Sequence, residues 1–421
     1  MSKLIITGSK KLKGNIRISG NKNSVLPIFA ACLLTNQKCI IKNVPDIGDK
    51  DAMIDIMRDI GVDIKKINKH CYQIQAKKIK TTNLNPELTN KLRGCITLMG
   101  SLTSKFHKMS MPHPGGCIIG KRPLDAHLQV LEEFGAKIKT EKLNNADVYK
   151  ISNNSIRGTN IFLGEQSVTA TENAILLAVL AKGKSIIENA AAEPHVQDLT
   201  NFLNKMGAKI TGMGTNTIKI IGVKKLRGAI HTLRSDYVEA ISFACLAAAT
   251  KNHLKLTNII SDDLKMALHI FDKMGINYKC TATSLEIFPS TIYAVEKIQD
   301  GLWPALSPDA ISPFVVLATQ AKGNTLIQQW MFEGRLFFVD KLILMGADIT
   351  LCDPHRVIIT GPVKLLGKKV LSPDLRAGIT LLIAALMAKG VTEIDNAYQI
   401  DRGYENIVER LQKIGADIIR K

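Results

Sequence analysis

Apolar side chains recur along the chain at the spacing of helices that bury one face and expose the other. In the clearest segment they occupy positions i, i+3, i+4 and i+7, which are Leu199, Phe202, Leu203 and Met206. Gly207 follows, and a short β-like run reaches Ile210. Because glycine readily adopts the left-handed conformation that ends many helices, the pattern predicts an amphipathic helix, a sharp stop and a strand.

The same combination of amphipathic segment, glycine and β-like run occurs six times. The glycines that end these segments are Gly61, Gly135, Gly207, Gly275, Gly346 and Gly415. They lie 68 to 74 residues apart, which is typical of a repeat architecture. The sequence therefore predicts six repeated units of about 70 residues each.

A second kind of helix precedes the amphipathic one and is rich in alanine and leucine, with almost no charge. Its clear copies are residues 170–180, 238–249, 311–320 and 378–387. A helix that is apolar on all sides is buried on all sides. Strands are predicted at residues 5–7, 15–19, 38–42, 185–188, 217–220 and 357–359. Buried helices inside a shell of strands and outer helices favour an α/β fold of two domains with three units each.

The chain has 421 residues, enough for a large core, and a formal net charge of +19. One alternative is a nucleic-acid-binding repeat protein, which would concentrate lysine and arginine on one face of each repeat. The lysines are instead spread along the chain, without a basic tail. We therefore expect the charge to reflect a lysine-rich surface or to attract an anionic substrate. No apolar run approaches the length of a membrane span.

The cysteines and histidines argue against a zinc site. Eight cysteines form no Cys-x-x-Cys pair, and the nine histidines are scattered. Free cysteines are typical of a reducing environment, so we expect a cytoplasmic protein.

Cys117 has surroundings unlike those of the other seven cysteines. It follows a Pro-Gly-Gly turn, and Lys121 and Arg122 come within the next five residues. Nearby cations stabilise a thiolate, and glycines give an open loop. Most cysteines are buried and inert. This mixture of glycine and positive charge nevertheless indicates a proton donor or nucleophile that acts beside an anionic substrate.

Motifs in a fixed order resemble those of the enolpyruvyl transferases, whose fold is an inside-out α/β barrel of two domains. The motifs are Ser19-Gly20-Asn21-Lys22-Asn23, Pro114-Gly115-Gly116-Cys117 with the run to Asp125, Ser307-Pro308-Asp309, Phe332-Glu333-Gly334-Arg335, Asp374-Leu375-Arg376 and Ile400-Asp401-Arg402-Gly403-Tyr404-Glu405. Each motif alone is weak, whereas the ordered set is specific. The resemblance implies a catalytic domain of residues 1–21 plus 234–421, and a domain of residues 22–233 that carries the Cys117 loop. It places the substrates in the cleft between them.

The resemblance also implies a reaction. An enolpyruvyl group would move from phosphoenolpyruvate to the 3′-hydroxyl of UDP-N-acetylglucosamine (UDP-GlcNAc), with release of phosphate, in the first committed step of peptidoglycan synthesis. No metal or organic cofactor is implied. We expect a monomer in the bacterial cytoplasm, without membrane insertion, whose Cys117 is alkylated by fosfomycin.

Residue roles follow from the matching motif positions. Catalysis is assigned to Cys117, Asp309, Lys22, Arg376 and Arg402. Phosphoenolpyruvate binding is assigned to Lys22, Asn23, Arg122, Arg376 and Arg402. Arginine forks suit both carboxylate and phosphate. Cys117 would be the acid, and Asp309 the base toward the 3′-hydroxyl. Asp309 also stands just before the apolar helix 311–320, where an N-cap is expected.

A larger set is assigned to UDP-GlcNAc. It comprises Arg93, Arg122, Pro123, Leu124, Asp125, Ala126, Ser167, Val168, Thr169, Asp309 and Met331. Thr169 and Glu172 have the spacing of a capping box, and helix-start amides also suit phosphate oxygens. Glu165 and Thr169 depart from common family patterns at the expected contact to the diphosphate.

Two further alternatives share the resemblance. A shikimate-3-phosphate enolpyruvyl transferase has the same fold and donor, but it requires a Ser-Lys-Ser motif and uses no loop cysteine. Asn21, Asn23 and Cys117 count against it. A catalytically silent paralogue that binds UDP-GlcNAc is the other alternative, and the presence of Cys117, Asp309 and Arg402 argues against it.

Overall fold

The computed structural model describes residues 2–116, 120, 122–143 and 146–421. Its strands are, in chain order, β1 (Lys3–Thr7), β2 (Lys13–Arg17), β3 (Cys39–Lys42), β4 (Asp63–Asn68), β5 (Cys71–Gln75), β6 (Lys108–Pro112), β7 (Lys137–Leu143), β8 (Ala146–Ser152), β9 (Asn160–Phe162), β10 (Lys184–Glu188), β11 (Lys209–Thr211), β12 (Thr217–Ile221), β13 (Ile230–Thr232), β14 (His253–Thr257), β15 (Tyr278–Cys280), β16 (Ser284–Ile287), β17 (Lys297–Gln299), β18 (Gly323–Gln328), β19 (Asp348–Asp353), β20 (Arg356–Gly361), β21 (Lys369–Leu371), β22 (Val391–Asp395) and β23 (Asp417–Arg420).

The helices alternate with these strands. They are α1 (Lys22–Ala31), α2 (Gly48–Asp59), α3 (Pro86–Thr89), α4 (Leu98–Phe106), α5 (Asp125–Glu133), α6 (Val168–Ala178), α7 (Pro194–Lys205), α8 (Tyr237–Ala249), α9 (Lys265–Lys273), α10 (Ile311–Ala318), α11 (Val339–Leu344), α12 (Leu375–Met387), α13 (Tyr398–Asp401) and α14 (Ile407–Gln412). Short 3₁₀ helices occur at Cys32–Leu34, Arg93–Thr97 and Ser261–Leu264. The fold is therefore mixed α/β.

The chain divides into two compact units. The C-terminal unit contains Ser235–Lys421 and the described residues of Met1–Ser19 and Cys117–Lys121, and the central unit contains Gly20–Gly116 and Arg122–Arg234. In the C-terminal unit the sheets have the strand orders β21-β22-β1-β23, β15-β16-β14-β2 and β17-β18-β20-β19. In the central unit the orders are β13-β3-β5-β4, β11-β12-β10-β9 and β6-β8-β7.

The four-stranded sheets of both units share one pairing pattern. Each has two antiparallel pairs and one parallel pair at an edge, as in β14, which pairs antiparallel with β16 and parallel with β2. The sheet β6-β8-β7 is antiparallel throughout its described residues. Side chains alternate across each sheet, so one face of every strand can pack on helices.

The apolar helices form the core of each unit, as their composition predicts. Every residue of α8 and of α10 is buried, and α12 is buried from Leu375 to Leu386. In the central unit, α6 is buried from Ala170 to Ala178. Helices without a polar face have no side to present to water, so sheets and outer helices surround them.

The glycines that end the six amphipathic segments have the predicted backbone conformation. Their φ angles lie between 72° and 101°, at Gly61, Gly135, Gly207, Gly275, Gly346 and Gly415. A residue with a Cβ atom is strained in this region, whereas glycine is not. The helix stops read from the sequence are thus confirmed.

Helix boundaries differ from the predicted ones by a few residues. The helix predicted at 378–387 begins three residues earlier, at Leu375, because the Asp374 side chain caps it by accepting from the N–H groups of Arg376 and Ala377. The helix predicted at 311–320 ends at Ala318. None of the helices in the described part of the chain has the length and apolar character needed to cross a membrane.

Candidate active site

Asp309 lies between two arginines in the C-terminal unit. Its Oδ1 accepts a hydrogen bond from Arg335 Nη2 at 2.8 Å, and its Oδ2 accepts one from Arg376 Nη2 at 2.8 Å. Both arginine side chains are only 4% exposed, while that of Asp309 is 25% exposed. The arrangement presents a carboxylate at the surface of a buried cationic cluster.

The N-cap predicted for Asp309 is wrong. The residue that caps α10 is Ala310, which makes no side-chain cap hydrogen bond. The Asp309 carboxylate instead pairs with Arg335 and Arg376, where both the donors and the acceptor are charged.

Arg376 occupies the first turn of α12 and connects this cluster to a buried tyrosine. Its Nη1 donates to the hydroxyl of Tyr404 at 3.3 Å, and that hydroxyl lies 2.8 Å from Ser242 Oγ. Burial, the largest single influence, lowers the pKa of Arg376, but Asp309, Tyr404 and Asp236 together hold the pKa well above its ordinary value. Burial raises the pKa of Tyr404 to about 12, so the phenol stays neutral.

Arg335 and Asp374 were not among the residues assigned from the sequence. Arg335 Nη1 lies 3.8 Å from Asp374 Oδ1, which adds a second carboxylate beside the cluster. Both residues occur in the quoted motifs, Phe-Glu-Gly-Arg and Asp-Leu-Arg, so motif membership was a usable signal. Their pairing was not readable from the spacing.

Arg402 lies at the C-terminal end of α13. Its Nη1 donates to Gln399 Oε1 at 3.1 Å, one turn earlier in the chain. This contact fixes the side chain locally. The assignment of Arg402 to phosphoenolpyruvate stays a prediction.

Lys22 begins α1 in the central unit. Asn21 caps this helix by accepting from the N–H groups of Asn23 and Ser24, at 2.7 and 3.3 Å. Lys22 Nζ forms an ion pair of 3.0 Å with Asp49, whose side chain is 5% exposed. Asp49 was not assigned from the sequence, and it holds the Lys22 ammonium in one place.

Arg93 organises the loop that follows the cysteine segment. Its guanidinium donates to the main-chain carbonyls of Pro114 at 3.4 Å, Pro123 at 3.2 Å and Arg122. Burial and the positive charge of Arg122 lower the pKa of Arg93 to about 10. Leu124 is buried and precedes α5 without a side-chain cap, so any ligand contact there comes from the main chain.

His127 is the centre of a buried hydrogen-bond network. Asn173 donates from Nδ2 to His127 Nδ1 at 3.0 Å, and the other ring nitrogen lies 3.2 Å from Thr169 Oγ1. Burial, followed by the charges of Arg93 and Arg122, lowers the pKa of His127 to about 3. The ring is therefore neutral, and with Nδ1 as acceptor it donates from Nε2 to Thr169.

The capping box predicted from Thr169 and Glu172 is wrong. Ser167 is the N-cap of α6, and its Oγ accepts from the N–H of Ala170 at 3.4 Å. Thr169 is the second residue of the helix, and its hydroxyl contacts His127 instead. Glu172 is fully buried, and burial raises its pKa well above the ordinary value.

Cys117 and Lys121 lie outside the described residues. Of the other cysteines, Cys32, Cys39, Cys71, Cys95 and Cys245 are buried, Cys280 is half-buried and Cys352 is exposed. Burial raises the pKa of Cys95 to about 12, which makes its thiol unreactive. Among the described residues, no group of three His, Cys, Asp or Glu side chains is placed to hold a metal ion.

The chain is similar to named proteins over its whole length. It is 45% identical to UDP-N-acetylglucosamine 1-carboxyvinyltransferase of Treponema denticola and 43% identical to that of Borreliella burgdorferi, in each case over 99% of both chains. It is 41% identical to the protein of the same name from Bacteroides fragilis, over 100% of both chains.

Solved structures share the fold. The enolpyruvyl transferase NikO from Streptomyces tendae matches with a TM-score of 0.89 at 23% identity, over 100% of this chain and 99% of that one. EPSP synthase from Acinetobacter baumannii matches with a TM-score of 0.77 at 20% identity, over 100% and 99% of the two chains. The sequence profile of the family described as EPSP synthase (3-phosphoshikimate 1-carboxyvinyltransferase) matches residues 6–411. The chain belongs to this family.

Proposed function

We propose that the chain transfers the enolpyruvyl group of phosphoenolpyruvate to the 3′-hydroxyl of UDP-GlcNAc and releases phosphate. This is the first committed step of peptidoglycan synthesis. The observation that carries the proposal is full-length identity of 41–45% to proteins named for this activity. The Asp309 cluster supports it, because the reaction needs a carboxylate base beside cations.

We also propose that the two domains are built from repeated units. Six units of about 70 residues, three per domain, would form the two domains of an inside-out α/β barrel, with residues 1–21 plus 234–421 in one and 22–233 in the other. The shared pairing of the four-stranded sheets and the positive φ of the six glycines support this repeat. The two compact units support the division into domains.

Phosphoenolpyruvate is a small, multiply charged anion, and we assign its binding to five residues. They are Lys22, Asn23, Arg122, Arg376 and Arg402. The ion pair to Asp49 holds Lys22 ready as a point charge for a phosphate. The buried guanidinium of Arg376 offers a planar fork for a carboxylate.

Two proton transfers form a tetrahedral adduct: Cys117 protonates carbon 3 of phosphoenolpyruvate, and Asp309 removes the proton of the sugar hydroxyl as its oxygen bonds to carbon 2. Loss of a proton from carbon 3, with phosphate leaving carbon 2, then restores the double bond and gives the enol ether. The two guanidinium groups on Asp309 favour its ionised form, so the base starts without a proton. An anionic substrate that competes for Arg376 would release one carboxylate oxygen and increase its basicity.

UDP-GlcNAc binding is assigned to Arg93, to residues 122–126 and 167–169, and to Asp309 and Met331. Arg93 supports the proposal by fixing the carbonyls of Arg122 and Pro123. The start of α6, with Ser167 as its cap, presents main-chain N–H groups of the kind that bind phosphate oxygens. We propose that the protein acts as a monomer in the bacterial cytoplasm.

The experiment is phosphate release by the purified protein with phosphoenolpyruvate and either of two acceptors. Release with UDP-GlcNAc and none with shikimate 3-phosphate is the expected result. Release with shikimate 3-phosphate alone would replace the proposal by the activity that gives the family its description. If neither acceptor supports release while UDP-GlcNAc binds in a calorimetric titration, the chain is a binding paralogue.

A further inference from the structure

The segment from Trp330 to Arg335 carries one proposed site residue and one arginine that binds Asp309, without belonging to a helix or a strand. It follows β18 and leads toward α11. Met331 is assigned to UDP-GlcNAc, and Arg335 holds Asp309 at 2.8 Å. Irregular backbone keeps a fixed conformation only when its polar groups find partners inside the protein.

Asp300 supplies the first of these partners. It follows β17 directly and is 2% exposed. Its Oδ1 accepts from the main-chain N–H of Trp330 at 2.5 Å, and its Oδ2 accepts from Gln329 Nε2 at 2.5 Å. One carboxylate thus binds the segment at its first residue and orients the side chain of the residue before it.

Gln329 is the second residue that holds the segment in place. Its Oε1 accepts from the N–H of Phe332 at 2.6 Å, so the side chain bridges Asp300 to the middle of the segment. Its main-chain N–H donates to the carbonyl of His355, and its own carbonyl lies 2.8 Å from His355 Nδ1. His355 lies in the turn between β19 and β20. Gln329 is fully buried, and its amide orientation is set by the donor needed at Asp300 and the acceptor needed at Phe332.

We propose that Asp300, acting through Gln329, is a positioning residue that fixes the Trp330–Arg335 segment and so orients Arg335 against Asp309. This role needs no direct contact between Asp300 and Asp309, because the effect passes through the Gln329 side chain and the backbone of the segment. The inference rests on the proposed function, because that function makes the orientation of Asp309 and Met331 matter.

The protonation state of the Asp300 carboxylate should make the position of this segment depend on pH. Burial raises the pKa of Asp300 to about 6, against the main-chain hydrogen bond from Trp330. Arg335 and His355, which face it, also oppose the rise in the pKa of Asp300. Above this pKa the carboxylate is mostly ionised and both oxygens can accept. Below it one oxygen is mostly protonated and faces a donor, so we expect the segment to loosen.

The test compares the wild type with Asp300→Asn and with the double variant Asp300→Asn, Gln329→Glu. In the single variant the NH₂ of the new asparagine faces the NH₂ of Gln329, so two donors meet. Turning the Gln329 amide over would satisfy the asparagine but would place its NH₂ against the N–H of Phe332. In the double variant the carboxylate has moved to position 329, where it accepts from both neighbours. We expect kcat/KM for UDP-GlcNAc to fall about 10-fold or more in the single variant and to return to within about 3-fold in the double variant.

Two further readouts separate positioning from general damage. The wild type should lose kcat/KM as the pH falls through 6, and this limb should be shifted in the double variant. Hydrogen exchange at the N–H groups of Trp330 and Phe332 should be faster in Asp300→Asn and slow again in the double variant. Asp348→Asn, the same change at an exposed position of the same sheet, is the control and should behave as the wild type.

Unchanged kinetics and unchanged exchange in Asp300→Asn would overturn the proposal, and so would a double variant as impaired as the single one. If the wild type shows no turnover with UDP-GlcNAc, the proposed function fails by itself. The exchange measurements then still decide whether Asp300 fixes the segment.

Discussion

The carboxylate of Asp309 accepts a hydrogen bond from Arg376 at 2.8 Å, although the two residues lie 67 positions apart in the chain. The contact joins a residue two positions before α10 to the first turn of α12. Because Arg335 binds the other carboxylate oxygen, Asp309 bridges two buried guanidinium groups, and Asp374 lies beside one of them. The cluster therefore combines a structural ion pair with a position for chemistry.

Removing the charge of Asp309 should cost stability as well as activity. In Asp309→Asn two side chains that are only 4% exposed lose a counter-charge, and the free energy of unfolding should fall by about 3 kcal/mol. Urea denaturation measures the change. Asp340→Asn removes an exposed ion pair with Lys341 and should stay within about 0.5 kcal/mol of the wild type. Equal free energies of unfolding for Asp309→Asn and Asp340→Asn would show that the Asp309 carboxylate does not stabilise the two buried arginines.

The buried His127 predicts a specific pH dependence of stability. Its pKa is about 3 in the folded protein against 6.5 for the ordinary group, so below pH 6.5 the unfolded chain binds a proton that the folded protein does not. The contribution of the neutral ring to the free energy of unfolding is complete above pH 6.5. It is lost as the pH falls toward 3, and the loss at pH 5 is about 2 kcal/mol.

The variant His127→Gln should lack this part of the pH dependence in urea denaturation at about pH 7.5 and about pH 5. The exposed His269→Gln serves as the control and should keep the wild-type difference. A difference between the two pH values that is the same for all three proteins would contradict a neutral, buried ring.

Lys22 should carry much of the affinity for phosphoenolpyruvate. The variant Lys22→Met keeps the aliphatic stem and removes the charge, so the dissociation constant should rise about 10-fold or more in a calorimetric titration. Lys11→Met, at an exposed position, is the matched control. An unchanged dissociation constant in Lys22→Met would remove Lys22 from the site.

Fosfomycin should modify one cysteine. An epoxide reacts with a thiolate, and the glycine-rich, cationic surroundings of Cys117 favour that form. Mass spectrometry of tryptic peptides should find one added inhibitor at Cys117, with none at the exposed Cys352. Iodoacetamide, which needs only exposure, should label Cys352 and confirms that this thiol is accessible. Fosfomycin on Cys352 would discredit the assignment.

The buried helices and the helix-ending glycines could be predicted because their signals are local. A helix with a single charged residue, such as α8, has no exposed face, and a glycine after a helical segment marks its end. The capping box at Thr169 failed on an equally local signal, because Ser167 two residues earlier offers a cap and begins the helix first. Where two candidate caps are neighbours, the sequence does not rank them.

Contacts within the site could be predicted only in part. Motif resemblance singled out Asp309 and Arg376 separately, but their contact depends on how α10 and α12 pack, which spacing does not encode. Asp300 carries no motif at all. Its importance depends on burial and on two hydrogen bonds that exist only once β17 and β18 lie side by side.

The neutral state of His127 gives the surroundings of Arg93 a constant charge. Histidine is the side chain that ordinarily changes charge near pH 7, and here the nearby arginines and burial have moved that change far into acid. The pKa of Arg93, at about 10, keeps its guanidinium charged up to alkaline pH. The charge that these residues present to an anion is therefore the same at about pH 6 as at about pH 7.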